Sequence, residues 1–333
     1  MKISILGGAG FLGRKIAARL AQDGKLGDRP ITALTLMDLA ARSTPEAAFP
    51  ITAMAGDLVD LPPEAIPPGT DVVFHLAAVV SAQAEADYDL GRRVNLRGID
   101  AVVDACRRLV TDGGTPPRVV FTSSVASFSG GQDAVLGDDA RQVPANSYGA
   151  QKAAAELILA DATRRGFLDA VSIRLPTVIV RPGRPNRAAS SFLSAIVREP
   201  LLGLPAELPV SDAFAAWVCS PRRAVDWLLH AAAMDSTLMG LDRSINPPGV
   251  STTIAHLLQA LDAVKTGASA LVRRVEDKEI SAIVGLWPAA FEAVRAHTLG
   301  FASHEPVVEV VRAFVEDDLE ATRAEREMQP LYK

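Results

Sequence analysis

A tyrosine and a lysine stand four residues apart in "SYGAQKAAAE", residues 147 to 156. On a helix Tyr148 and Lys152 share one face, a single turn apart. Such a pair is either a solvated surface or a device for moving a proton. An ammonium beside a phenol favours the phenolate and lowers the tyrosine pKa. A phenolate stabilised in this way can take the proton of an alcohol while the carbon loses hydride. That chemistry needs a hydride acceptor, and hence a place in the chain that holds one.

"ILGGAGFLG" offers that place. It contains Gly8-x-Gly10-x-x-Gly13 and also Gly7-x-x-Gly10-x-x-Gly13. Glycine permits backbone angles closed to other residues, and Gly10 lets a pyrophosphate approach the backbone at the positive end of a helix. Gly13 allows helix and strand to pack closely. A mere tight turn would use the same glycines; the position between a strand and a helix is what marks a dinucleotide site. Asp38 closes the next strand, "LTLMD". There a carboxylate accepts hydrogen bonds from ribose hydroxyls and repels a ribose phosphate, which favours NAD over NADP. It lies later than the usual spacing because "GKLGDRP" lengthens the preceding loop, and a helix cap is its alternative use. Arg42, nearby, would suit a phosphate.

The elements that must position these residues follow from periodicity. "KISIL", "ALTLMD", "PITAMAGD", "DVVFHLAA", "RVVFTSS" and "DAVSIRLPTVI" are short apolar runs, read as six strands. "GFLGRKIAARLAQDG", "GRRVNLRGIDAVVDACRRLV" and "NSYGAQKAAAELILADATRRG" have helical period between them. Alternating strands and helices predict an α/β fold with a parallel, Rossmann-like, doubly wound sheet. Residues 1–176 form this nucleotide-binding part, and the helix "SPRRAVDWLLHAAAM" at 220–234 is expected to return to it. Residues 177–333 form mainly a smaller, mostly helical substrate lobe. Within it "RPGRPNRAASSF" and "LLGLPAELPV" read as loop, "RSINPPG" as strand and turn, and "TTIAHLLQALDAV" and "PVVEVVRAFVEDDLEATRAEREM" as helical. The last charged stretch is expected to fray into solvent.

Composition narrows the partners. A net charge of -5 without a basic stripe argues against nucleic acid. No stretch has the length of a membrane span, and the opening apolar run is too short for a signal peptide, so a cytoplasmic protein without a membrane partner is expected. Cys106 and Cys219 sit far apart in apolar surroundings and read as buried thiols. The five histidines lack metal-ligand spacing, and no metal is expected. His75, inside a strand, reads as a core residue rather than a base.

The glycine turn, Asp38, "AGDL", "HLAA", Asn95, "FTSS", "YGAQK" and "RLPT" occur in this order, and together they resemble the extended branch of the short-chain dehydrogenase/reductase superfamily. The resemblance implies NAD as cofactor, held by Gly7, Gly10, Phe11, Leu12 and Gly13. Asp57 and Leu58 would contact adenine, and Leu76, Ala77 and Ala78 would form the floor. Asn95 and Thr177 complete the cofactor set, with Tyr148 and Lys152. It implies Tyr148 as base, Lys152 lowering its pKa and holding the nicotinamide ribose, and Ser124 orienting the reacting oxygen. Dehydratases of the family carry an Asp-Glu pair beside the serine; Ser124-Val125-Ala126 speaks against that activity. "RLPTVIVRPGRPNRAASSFLSAIVREP" and "HLAAVVSAQAEADYDLG" are similar to the D-erythronate dehydrogenases, which implies a sugar-acid substrate oxidised at C2. Its carboxylate needs a cation, with Arg184 the first choice and Arg181, Arg187 and Arg222 as alternatives. Ser81 is placed at the substrate pocket. A sugar-nucleotide epimerase and a non-catalytic dinucleotide-binding regulator are the competing readings. Relatives in this branch pair through helices near 92–110 and 147–165, which implies a homodimer.

Overall fold

The computed structural model describes residues 1–130, 135–183, 189–303 and 305–328. Its centre is a seven-stranded sheet in the spatial order Ser244–Ile245, Asp169–Leu175, Arg118–Ser124, Thr70–His75, Lys2–Leu6, Ala33–Asp38, Ile51–Ala55. Every pairing in it is parallel. The inner strands are buried on both faces, which is why they read as unbroken apolar runs. The strand order reverses beside Lys2–Leu6. A crevice opens at the carboxyl ends of the strands at such a reversal, and ligands bind there.

Helices cover both faces. On one, Ile16 and Leu20 of Phe11–Asp23 share a core with Trp227 and Leu228 of Pro221–Ala233. The latter helix therefore packs with the sheet, and Ser244–Ile245 adds a strand to its edge. On the other face, Val102 and Cys106 of Gly98–Thr111 meet Ala155 and Leu159 of Ser147–Arg164. A second core lies outside the sheet. It joins Ile196, Leu257, Leu261, Val310 and Phe314 from the helices Ser191–Leu201, Ile254–Val264 and Val307–Asp317. Two small sheets accompany these helices, so the lobe is helical with short strands at its edges.

Three stretches differ from their sequence patterns. The run at 169–179 is two strands in two sheets. It breaks at Pro176, which has no N–H to donate, and Thr177–Val178 pairs instead with Ala215–Cys219. Ser191–Leu201 is a helix between two stretches read as loop, whose edges it takes in. The charged run at the end is two helices, broken at Asp318, whose carboxylate binds Lys15 at 2.7 Å. As far as residue 328 this end is docked rather than frayed. Thr322 is buried, and Arg326 grips Glu199 at 2.6 Å.

Cys106 and Cys219 are buried free thiols, and burial pushes Cys106 up to about 12. His75 is buried edge-on against Phe121, and burial pushes its pKa down to about 3. It is a neutral core residue at ordinary pH and cannot serve as a cationic acid. Among the described residues no helix is long and apolar enough to cross a membrane, and no cluster suits a metal ion.

Candidate active site

The glycine turn runs from the first strand into Phe11–Asp23 with no side chain at its inner bend. Gly7 has φ +92°, in the left-handed region, and a Cβ there would lie 2.8 Å from the Ala77 nitrogen. The turn's amides are tied to the second strand: Gly7 and Gly8 donate to the Met37 carbonyl, and Ala9 donates to Asp38 Oδ2 at 3.0 Å. The other Asp38 oxygen accepts from Leu39 at 2.8 Å. No helix starts there, so Asp38 is not a helix cap; it braces the turn.

A cavity of about 280 Å³ lies over this carboxylate, bordered by Gly8, Ala9, Asp38, Arg42, Ser43 and Thr44. Its position suits the adenosine half of a dinucleotide, with Asp38 as the ribose acceptor. Arg42 does share its wall, as its proximity in sequence suggested. Asp38→Ala should therefore weaken NAD by about 2 kcal/mol, ~30-fold, while NADP loses less. Equal losses for the two cofactors in fluorescence titrations would make the carboxylate structural only.

A second cavity of about 230 Å³ opens on the far side of the turn. Leu12, Leu76, Ala78, Ser81, Ser124, Tyr148, Lys152 and Thr177 all line it, so residues scattered over the first 177 positions converge. The helix carrying the tyrosine is placed tightly. Asn146 caps it by accepting from Gly149 at 2.7 Å, and Glu85 accepts from Ser147 at 2.8 Å. Gly149 has room for nothing larger, because a Cβ would fall 2.3 Å from the Ala126 carbonyl. That contact presses the start of the helix against the 125–128 turn that follows Ser124. Deeper down, Glu156 is buried with Arg174 at 2.8 Å and also binds Ser123 and Gln142. This network pins the helix to two strands of the sheet.

Lys152 is buried, donates to the Thr122 carbonyl at 2.7 Å and lies 5.5 Å from the centre of the Tyr148 ring. Burial pushes its pKa down to about 7, with Glu156 opposing. Burial pushes the phenol up to about 12, opposed by a hydrogen bond with Ser124 and by the charge of Arg181. Arg181 therefore adds a positive charge on the phenol that the Tyr148–Lys152 spacing does not reveal.

Asn95, Asp57, Leu58, Ala77, Phe11 and Arg222 line neither of these two cavities. Asn95 is buried, with its amide committed to Val79 and Gln151; it clamps the 76–81 loop in place. Asp57 binds Arg93 and the Val59 amide, and Leu58 is core, packed against Gly98. Neither lines a cavity. Ala77 donates to the Leu6 carbonyl beneath the turn, and Lys15 Nζ lies 5.8 Å from the centre of the Phe11 ring. Arg222 is engaged with Glu316 and Asp317 at the surface, at 2.8 and 2.6 Å. Arg184 and Arg187 lie outside the described residues. Arg181 lines the tyrosine cavity. Ser190 and Trp287 line it too, and the sequence pattern had not singled them out.

Comparison with known proteins adds a family to this geometry. The profile of the NAD dependent epimerase/dehydratase family matches residues 3–214. The chain belongs to this family. A D-erythronate dehydrogenase of Cupriavidus necator is 46% identical over 95% of this chain and 98% of its own length. One from Haemophilus influenzae is 36% identical over 96% of this chain and 100% of its own length. A solved structure described as a nucleoside-diphosphate-sugar epimerase from Agrobacterium tumefaciens superposes with a TM-score of 0.92 at 42% identity. It covers 96% of this chain and 95% of that one. The enzyme is NAD-dependent by family, and the residues fit that cofactor. The glycine cradle admits no Cβ at Gly7 or Gly13, and Asp38 faces the cavity beside it.

Proposed function

We propose that this enzyme is a dehydrogenase that oxidises the C2 hydroxyl of D-erythronate, or of a closely related sugar acid, to the 2-dehydro acid. The observation that carries the reading is the cleft itself. Ser124, Tyr148, Lys152 and Arg181 line one small cavity, and no carboxylate side chain lines it among the described residues. The full-length likeness to two D-erythronate dehydrogenases supports the choice of substrate.

NAD, when bound, supplies the hydride acceptor and a positively charged ring. Tyr148 would take the hydroxyl proton on its phenolic oxygen. The Ser124 hydroxyl, next to that phenol, would hydrogen-bond the reacting oxygen and fix its approach. Lys152, buried against Thr122, would place its ammonium near the phenol and favour the phenolate that receives the proton. Ser81 and Thr177 border the remaining space and suit hydroxyl groups of the acid.

The epimerase reading has the Agrobacterium structure in its favour. A sugar nucleotide needs cations for a diphosphate, and Arg222, one candidate for that task, is engaged elsewhere. Incubation with NAD and a panel of aldonates, uronates and sugar nucleotides separates the readings. NADH should accumulate with erythronate. Interconversion of a sugar nucleotide without net NADH would replace the proposal. The homodimer is part of the same reading. Leu157 is 72% exposed, and with Val103 and Ile158 it forms an apolar surface on the two helices expected to pair, continued by Phe167 just past the second.

A further inference from the structure

We propose that Arg181 is the anion anchor of the cleft and that the C-terminal helix holds it in place through Arg326, Glu199 and Arg198. The proposal rests on the sugar-acid reading above and names the group that recognises its carboxylate.

Arg181 follows the strand that ends in Val178 and reaches the cavity from the wall beside Tyr148. Its Nη2 is shut off from solvent and has no hydrogen-bond partner among the described residues. A buried guanidinium lacking a partner is costly unless an acceptor arrives. Arg181 lines a cavity bordered also by hydroxyls, a phenol and a lysine. A carboxylate placed there would satisfy it with two parallel bonds, which a planar fork makes and an ammonium does not.

The segment that carries it is gripped from behind. The Arg181 amide donates to Ser194 Oγ at 3.2 Å, and its carbonyl accepts from buried Arg198 at 2.7 Å. Arg198 also binds Glu199 Oε1 at 2.9 and 2.7 Å. Glu199 in turn receives Arg326 of the terminal helix at 2.6 and 2.8 Å, and Arg326 donates to the Gly183 carbonyl at 2.9 Å. Both ends of the 181–183 segment are thus tied to the same set of side chains. Within that set two guanidiniums, Arg198 and Arg326, share one carboxylate, so positive charge is left over behind Arg181. The repulsion from Arg198, like the loss of water, disfavours the charged form of Arg181. An incoming anion relieves both.

Two arms test the anchor. Calorimetry of D-erythronate onto the NADH-loaded protein should show binding by the parent and at least ~100-fold weaker binding by Arg181→Met, with Arg181→Lys recovering little. NAD affinity should stay within twofold in both variants. Erythronate binding by Arg181→Met within threefold of the parent overturns the anchor, as does a parallel loss of NAD affinity. A parent that binds erythronate but does not reduce NAD with it would sink the dehydrogenase reading and leave the anchor standing. For the positioning role, Arg326→Ala should raise KM for erythronate ~10-fold with kcat within threefold of the parent, and Arg326→Lys should restore part of it. An unchanged KM, or kcat and thermal stability falling together without rescue, would remove the terminal helix from the account.

Discussion

Tyr148→Phe should lower kcat for erythronate oxidation about 1000-fold and leave NAD binding nearly intact. The ring remains, so the wall of the cavity keeps its shape. Only the oxygen that accepts the proton is lost, and positioned acid–base groups contribute on this order to rate. The oxygen also bonds Ser124, whose hydroxyl would lose its partner but keep its place, because Ser124 Oγ accepts from the Ala126 amide at 3.1 Å. Steady-state rates beside a cofactor titration read both halves. Activity within tenfold of the parent would show that another group takes the proton, and His75, with its pKa near 3, is not that group.

Gly13→Ala should lose NAD affinity by at least ~100-fold and lower the melting temperature. A Cβ at this position would lie 2.1 Å from the Gly7 carbonyl oxygen and 2.9 Å from the Gly8 Cα. Both are backbone atoms of the turn, so no flexible side chain can yield. Either the helix moves off the first strand or the turn opens, and overpacking of this kind costs about 1–3 kcal/mol or more. The amides that face the cofactor move in both cases. A variant that binds NAD like the parent would show that the turn adapts and that the cradle lies elsewhere.

The parts of this site that sequence alone reveals are those with local causes. The glycine turn, the strand that ends in Asp38 and the Tyr148–Lys152 spacing each rest on a few adjacent residues. Alternating apolar runs and helical periods are equally local, and they carry the sheet and its covering helices. The rest depends on distant partners. The Ser191–Leu201 helix was hidden by the prolines before it and by Pro200 in its last turn. The break at Pro176 sends Thr177–Val178 to a different sheet, where its partner lies about forty residues on. The Asn95 amide closes on Val79 and Gln151, partners that only the fold brings to it. Arg181 was one arginine among four candidates. What distinguishes it is a set of partners at 194, 198, 199 and 326, which no spacing rule connects. Trp287 arrives at the cleft from so far along the chain that nothing near it signals the role.

The central claim is that hydride leaves C2 of a sugar acid at the Ser124–Tyr148–Lys152 cleft. D-Erythronate deuterated at C2 tests it most directly, with NAD and the parent enzyme, and mass analysis of both products. The account predicts that the deuterium is found in the reduced nicotinamide and is absent from the oxidised acid. Unlabelled NADH, with deuterium retained at C2 of the product, would contradict it.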